Sequence, residues 1–439
     1  MNTNKFFALC KEKGIEVAEL TSSKNTSFSF TVFRNELSNY TLSTTSRIRA
    51  RGIFNNQMGA AATEKDDKTT AEYLVNNILL AGQTLERVEK PIIFKGSEKY
   101  HKRNMYSKAL EAWETSDKIA KVFELEKECK ALDPRVVEVE CQFEESISEN
   151  VMANSYGLNL KSKQNYYVVY AEVIVKDGEE VKTGYDVLLE SDPSKFDVKE
   201  MAKKAVEKAT SLLHGSNVKG AKYKAILDRE VVSSLLSAVL SNLDAEEVQK
   251  HASVFEGKLN EQILSKKLTI TEEPLKKNFF FTYHDDEGVA TYNKKVIEKG
   301  VLKTYFYNLE TAAKDGVQST GNAQSMGARM GIGYTNITVK PGKLSLDELF
   351  KKIGNGVYIT SVQGLHAGLN EKSGDFSLQA QGFLVKDGKK DHALGLFTVS
   401  GNLFKIFNEV SFVGSDNKLL TSSIDTPSLA IKHLIVSGD

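Results

Sequence analysis

Polar and apolar residues alternate in Ser27-Phe28-Ser29-Phe30-Thr31-Val32 and again in Tyr40-Thr41-Leu42-Ser43, the two-residue period of half-buried strands. Ahead of them, Phe6, Phe7 and Cys10 share one face of an amphipathic helix. Behind them, Leu74, Val75, Ile78 and Leu79 recur at helical spacing. Thr69 with Glu72 predicts a capping box at the start of that helix, and Gly82 predicts its stop. Helical spacing returns over residues 104–131, with Ala109, Trp113, Ile119, Phe123 and Leu125 on the face expected to be buried, until Asp133-Pro134 breaks it. Strand patterns follow over 136–190, and the Asp177-Gly178 turn between two of them is a hairpin signal. Asp197 with Glu200 opens a further helix, which buries Met201, Ala205, Ala209 and Leu212 and is expected to end at Gly215, with His214 in its last turn.

From residue 219 the character changes. A strand over 223–227 leads through Asp228, a good N-cap, into a helix carrying Val232, Leu235, Leu236, Val239, Leu240 and Leu243 at helical spacing. Beyond about residue 268 the chain is rich in glycine and strand patterns, with helices expected only at 312–315 and 345–353. Strands followed by segregated helices indicate an α+β fold rather than a doubly wound sheet. A chain of 439 residues also exceeds what one core usually organises. Three parts are expected: a first α+β segment over 14–90, a helix and antiparallel-strand segment over 104–217, and a mostly antiparallel β-rich part over 219–439.

Composition narrows the function classes. The formal net charge is zero, which argues against a protein that works by neutralising nucleic-acid phosphates. The apolar run Phe6-Phe7-Ala8-Leu9-Cys10 is too short for a signal-peptide core, Leu9 is too bulky before a lipoprotein cysteine, and no stretch reaches the length of a membrane span. Three widely spaced cysteines, Cys10, Cys129 and Cys141, suggest reduced thiols and a cytoplasmic location.

Three segments carry candidate chemistry. His284-Asp285-Asp286-Glu287-Gly288 offers carboxylates for metal binding or acid–base work, but neighbouring strand residues point to opposite faces. A tight turn with Gly288 at positive φ is therefore the preferred reading. The segment Ser319-Thr320-Gly321-Asn322-Ala323-Gln324-Ser325-Met326-Gly327-Ala328-Arg329-Met330-Gly331 lacks a P-loop ending. It either presents amides, Asn322 and Arg329 to a carboxylate or extended peptide, or is a flexible surface loop. Arg47, Arg49 and Arg51 alternate on one strand face, where they could grip an acidic partner; a solvated sheet edge is the preferred reading. The seven histidines show no pair one helical turn apart with an adjacent Glu, no cysteine follows Cys141, and no Gly-x-Ser-x-Gly elbow occurs.

Several of these segments together resemble the TldD/PmbA (TldE) family. Arg51-Gly52-Ile53 and Gly59-Ala60-Ala61-Ala62-Thr63 are similar to its first block. Asp285-Asp286-Glu287-Gly288-Val289-Ala290-Thr291 and Val296-Ile297-Glu298-Lys299-Gly300-Val301-Leu302 resemble the block that opens its C-terminal part. Thr320-Gly321-Asn322-Ala323, Asn355-Gly356-Val357-Tyr358-Ile359-Thr360, Ser373-Gly374-Asp375-Phe376-Ser377, Lys386-Asp387-Gly388-Lys389, Ser400-Gly401-Asn402-Leu403 and Pro427-Ser428-Leu429 continue the match in order.

The resemblance implies a pairing. TldD-type chains carry a His-Glu-x-x-x-His helix and a later Cys that hold zinc. PmbA-type chains lack them and join a TldD-type chain in a peptidase for small or unfolded peptides; the family is also named for modulation of DNA gyrase. The helix after Asp228, reading Arg229-Glu230-Val231-Val232-Ser233-Ser234, holds no histidine, and no cysteine follows Gly401-Asn402. This chain is therefore expected to be a PmbA-type subunit without metal, with zinc on a TldD-like partner and a heterodimer as the working state. A homodimer is the alternative state expected for the chain alone. Asp286, Glu287, Asn322 and Arg329 are the expected substrate-binding residues, with no catalytic residue and no contact to nucleic acid or membrane. Two other readings stand beside it, a stand-alone hydrolase built on the acidic turn and a non-catalytic peptide-binding or regulatory protein.

Overall fold

A computed structural model describes residues 3–84, 90–326, 329–419 and 421–438. The alternating segments of the N-terminal half form one antiparallel sheet: β1 (Val17–Phe33), β2 (Glu36–Phe54), β3 (Gln57–Thr63), β4 (Val136–Asn154), β5 (Asn159–Asp177) and β6 (Glu180–Glu190), in the order β3-β2-β1-β4-β5-β6. Pairing of β1 with β4 joins strands from 14–90 and 104–217 in that single sheet. The Asp177-Gly178 hairpin closes as expected, with Asp177 opposite Glu180 and Gly178 at φ +61°.

One face of this sheet is covered by helices. α1 (Thr3–Glu12) and α2 (Thr70–Thr84) pack over Ala18, Leu20, Ile48 and Ala50. α2 runs through Gly82 instead of stopping there, and Asp67, accepting from the Thr69 amide and hydroxyl, holds its start in place of the Thr69–Glu72 box. The helix can lie this low because Gly52 and Gly59 face each other across β2 and β3. A Cβ on Gly59 would stand 1.9 Å from the Ile78 carbonyl oxygen.

The stretch 104–131 is two helices, α3 (Lys108–Glu111) and α4 (Thr115–Leu132), separated by Trp113, and this break leaves Ala109 exposed and Leu110 buried. α5 (Val198–Thr210) starts on Asp197, whose carboxylate accepts the Glu200 amide. It ends earlier than expected: His214 lies beyond it at φ +58°, its amide donating to Glu180 and its ring bonded to Asp177. α4 and α5 cover Phe30, Phe143, Tyr167 and Val169, a core in which each buried side chain contributes roughly 1.5–3 kcal/mol.

The C-terminal half is the expected β-rich region, completing an α+β fold. The strand Ala221–Leu227 passes through the N-cap Asp228 into α6 (Arg229–Ser241), whose Val232, Leu235, Leu236, Val239 and Leu240 form the centre of the largest core. Around it stand a seven-stranded sheet and a six-stranded sheet. Their pairs are antiparallel except Ala221–Leu227 with Gly356–Gln363 and Ile337–Val339 with Ile424–Thr426. Two short helices unforeseen in sequence, Leu365–Gly368 and Leu403–Asn408, interrupt the strands. No helix among the described residues is long and apolar enough to cross a membrane. The uncovered face of the N-terminal sheet meets the C-terminal half through Met152, Leu158 and Leu160 against Phe281 and Tyr283. Tyr283 Oη donates to the Lys161 carbonyl, and Tyr100 Oη donates to the Gly288 carbonyl.

Candidate functional site

That contact brings the three candidate segments together. Strand alternation sends Arg47, Arg49 and Arg51 to the uncovered sheet face, while Ile48 and Ala50 enter the core under the helices. Over Ile48–Phe54, β2 lies between β1 and the strand Gln57–Thr63, unrecognised in sequence, so Arg49 and Arg51 are not on a solvated edge; Arg47, one residue past the last β3 pair, is exposed as the preferred reading had it. The row forms the floor of a cavity of about 160 Å³, with Glu19 and Thr21 from β1 and Ala60 and Ala62 from β3. Asp286, Ser325, Arg329 and Met330 form the roof.

The acidic segment is a turn, as its preferred reading had it, with Gly288 at φ +82°. Its flanks are not regular strands; a single bridge joins His284 to Ala290. Each carboxylate receives a backbone amide from elsewhere. Asp285 accepts from Glu287, Val289 and Ala323, Asp286 from Ser325 at 2.8 Å, and Glu287 from Leu309 at 2.8 Å. The last contact places a carboxylate at the N-terminus of the helix Leu309–Asp315, where the dipole favours it. Burial first and Glu287 second push the Asp285 carboxyl up to about 8.

The glycine-rich segment is a β-hairpin, with Ala323–Met326 paired to Arg329–Ile332. Gly327 and Ala328 lie outside the described residues. The four expected binding residues separate. Asp286 and Arg329 line the cavity, Arg329 also pairing with Glu246 at 3.0 Å. Glu287 sits behind the wall, 3.9 Å from Arg51. Asn322 is buried away from the cavity, its amide donating to both oxygens of Glu272 and to the Gly333 carbonyl.

Charge in the cavity is unevenly matched. Arg51 is opposite Glu19 in the β1–β2 register and reaches it at 2.7 Å. Burial raises the Glu19 carboxyl above its ordinary value, and Arg51 opposes that rise. Arg47 and Arg49 have no ion pair among the described residues. Among the described residues, the buried Nε of Arg49 and Oε2 of Glu19 have no hydrogen-bond partner. Burial, then the neighbouring Arg47 guanidinium, pulls the Arg49 pKa down. The sequence signals for this site were the arginine row, Asp286 and Arg329, with the alanines of β3 marked only by the family resemblance; Glu19 carried none.

A larger cavity of about 690 Å³ opens at the start of α6, between β6, α5 and the seven-stranded sheet. A metallopeptidase would bring a metal to this helix, and the residues here do not fit one. Asp228 accepts from Tyr358 Oη at 2.5 Å and from the Glu230 amide; Glu230 accepts from Tyr185 Oη and Lys208 Nζ. Ser234, Ser237 and Ser241 donate to carbonyls of their own helix, and Ser233 bonds Ser422. Asn402, where a thiolate would be expected nearby, donates to Ser373 and Asp375. Zinc is held by imidazole, thiolate and free carboxylate groups. No group of three or more such side chains is placed for a metal among the described residues.

Comparison with known proteins gives a consistent picture. Residues 220–438 match the PmbA/TldA metallopeptidase C-terminal domain, and residues 108–213 match the central domain. The chain is 28% identical over 65% of its length to a metalloprotease of Methanothermobacter thermautotrophicus, spanning 64% of that protein. It is 29% identical over 72% of its length to a metalloprotease PmbA homologue of Buchnera aphidicola, spanning 69% of it. A Thermotoga maritima crystal structure named for modulation of a DNA gyrase superposes with TM-score 0.91 at 30% identity, covering 99% of both chains. TldE of Thermococcus kodakarensis shares the fold, with TM-score 0.91 at 21% identity over 99% of this chain and 100% of that one.

Proposed function

This chain belongs to the PmbA/TldE family, and from that premise we propose that it is the metal-free subunit of a heterodimeric peptidase acting on small or unfolded peptides. Its partner is a TldD-like chain that carries the zinc, and the pair works in the cytoplasm. The observation that carries the reading is the state of α6: its carboxylates are engaged by Tyr358, Tyr185 and Lys208, and its serines by neighbouring hydroxyls and carbonyls. Zinc on the partner supplies the activated water; this chain contributes binding surface. Asp286 and Arg329 in the cavity roof, over a floor of arginines, suit an extended peptide. Any effect on DNA gyrase follows indirectly from peptide degradation, since a net charge of zero gives no basis for direct DNA binding.

The stand-alone hydrolase reading loses its support in the acidic turn, whose three carboxylates each accept backbone amides. The test is to co-express this chain with a TldD-like partner and assay cleavage of an unfolded polypeptide by the purified pair and by each chain. Cleavage by the pair alone, abolished by a chelator, is expected. Chelator-sensitive cleavage by this chain alone contradicts the proposal, and a stable pair without any gain in cleavage turns it into a non-catalytic binding protein.

A further inference from the structure

Two cavities abut at Thr21 and Asp286. On one side lies the arginine-floored cavity of about 160 Å³. On the other is a groove of about 350 Å³ lined by Met105, Met152, Phe279 and Phe281, among others. The first is smaller than the ~300 Å³ at which pockets begin to enclose drug-sized ligands, so it admits the end of a molecule rather than a whole cofactor. Its floor holds Arg49, which has no ion pair among the described residues and whose buried Nε has no acceptor there, with the exposed Arg47 guanidinium at its rim. A planar guanidinium left unpaired in a partly closed site matches one ligand group best, an oxyanion able to accept parallel N–H bonds. Ala60 and Ala62 leave room beside it.

We infer that the cavity over Arg47 and Arg49 binds the C-terminal carboxylate of a short peptide, whose preceding residues lie past Asp286 in the aromatic groove. This rests on the peptide-handling function proposed above and adds a direction of binding and a chemical requirement at one end. Asp286, held by the Ser325 amide, stands at the junction, where its carboxylate repels an acidic side chain just before the terminus; it acts on Arg49 through space without forming an ion pair with it. Arg51, already matched by Glu19 and 3.9 Å from Glu287, anchors the floor. Arg329, paired with Glu246, flanks the opening.

Binding to the isolated full chain, measured by calorimetry, tests this without any need for cleavage. The probes are an acetylated Ala-Phe-Ala peptide with a free C-terminal carboxylate, the same peptide as its C-terminal amide, and inorganic phosphate. The free acid is expected to bind at least tenfold tighter than the amide, and phosphate more weakly than the acid. Arg49→Gln is expected to abolish the difference while leaving the thermal midpoint unchanged or higher, because it removes an unpaired charge. Ala62→Leu, which keeps every charge and fills the space, is expected to weaken the acid to the level of the amide. Equal binding of acid and amide by the wild type overturns the inference, as does phosphate binding tighter than the acid. Either outcome leaves intact the proposed pairing with a zinc-bearing chain, which is judged by cleavage in the pair.

Discussion

Glu272 and Glu19 are each buried carboxylates beside one cation, in the two halves of the molecule, and they are finished differently. Glu272 faces Lys294 at 2.5 Å, and its two oxygens also accept from Asn322 and the Thr335 amide. Glu19 meets Arg51, but among the described residues its second oxygen has no partner, and neither does Arg49 Nε in the same cavity. A carboxylate saturated with donors is a packing device, here holding the strand Ile270–Glu272 to the glycine-rich hairpin. A cluster with unmet donors and acceptors around a cavity has been left open to something else. Asn322 belongs to the first centre: its side-chain amide is spent on Glu272 and the Gly333 carbonyl, outside the cavity, and only its Oδ1 has no partner among the described residues.

Breaking the saturated centre should have the largest effect. Glu272→Ala leaves the Lys294 ammonium buried without a counter-ion, and a loss of about 3–5 kcal/mol is expected in urea unfolding. Glu19→Gln should cost less, about 1–3 kcal/mol, because Arg51 keeps Glu287 at 3.9 Å. Equal losses at the two sites would erase the distinction between them.

The pH dependence of stability sharpens the same contrast. Asp285, behind the cavity wall, has its folded pKa raised to about 8 from 3.8. The folded state therefore holds a proton that the unfolded chain has released. The stability this contributes is complete below about pH 4 and is lost as pH rises through about 8. The thermal midpoint of the wild type should fall across that window, and Asp285→Asn should flatten the fall. An unchanged slope in the variant would show that Asp285 is ionised in the folded protein. The smallest effect is expected at the open centre itself: Arg49→Gln should change unfolding free energy by no more than about 0.5 kcal/mol, or stabilise the chain. A large loss there would mean that Arg49 serves packing.

Local signals carried much of the fold. Asp197 and Asp228 cap their helices, Asp177-Gly178 turns its hairpin, and the stripe from Val232 to Leu240 is the C-terminal core. What sequence periodicity missed depended on distant partners. Gly82 does not stop α2, because the helix is held down on Gly52 and Gly59. Arg49 and Arg51 looked like edge residues because Gln57–Thr63, small and alanine-rich, gave no strong strand pattern of its own; Arg47, past the last β3 pair, is at the edge. Whether a strand is internal is a property of its neighbours, and so is whether its charges are solvated. The candidate site was thus legible as three separate segments, Arg47 to Arg51, Asp285 to Glu287 and Asn322 to Arg329, but their meeting was not. The family resemblance supplied the absence of metal ligands in α6; the engagement of Asp228 and Glu230 by Tyr358, Tyr185 and Lys208 became visible only in three dimensions.

Metal content tests the central claim most directly. Purify this chain alone and in complex with a TldD-like partner, without chelators or affinity metals, and measure zinc by plasma mass spectrometry alongside protein concentration. Stoichiometric zinc in the pair and none on this chain alone is the predicted result. Stoichiometric zinc on the isolated chain, retained through dialysis, would contradict it.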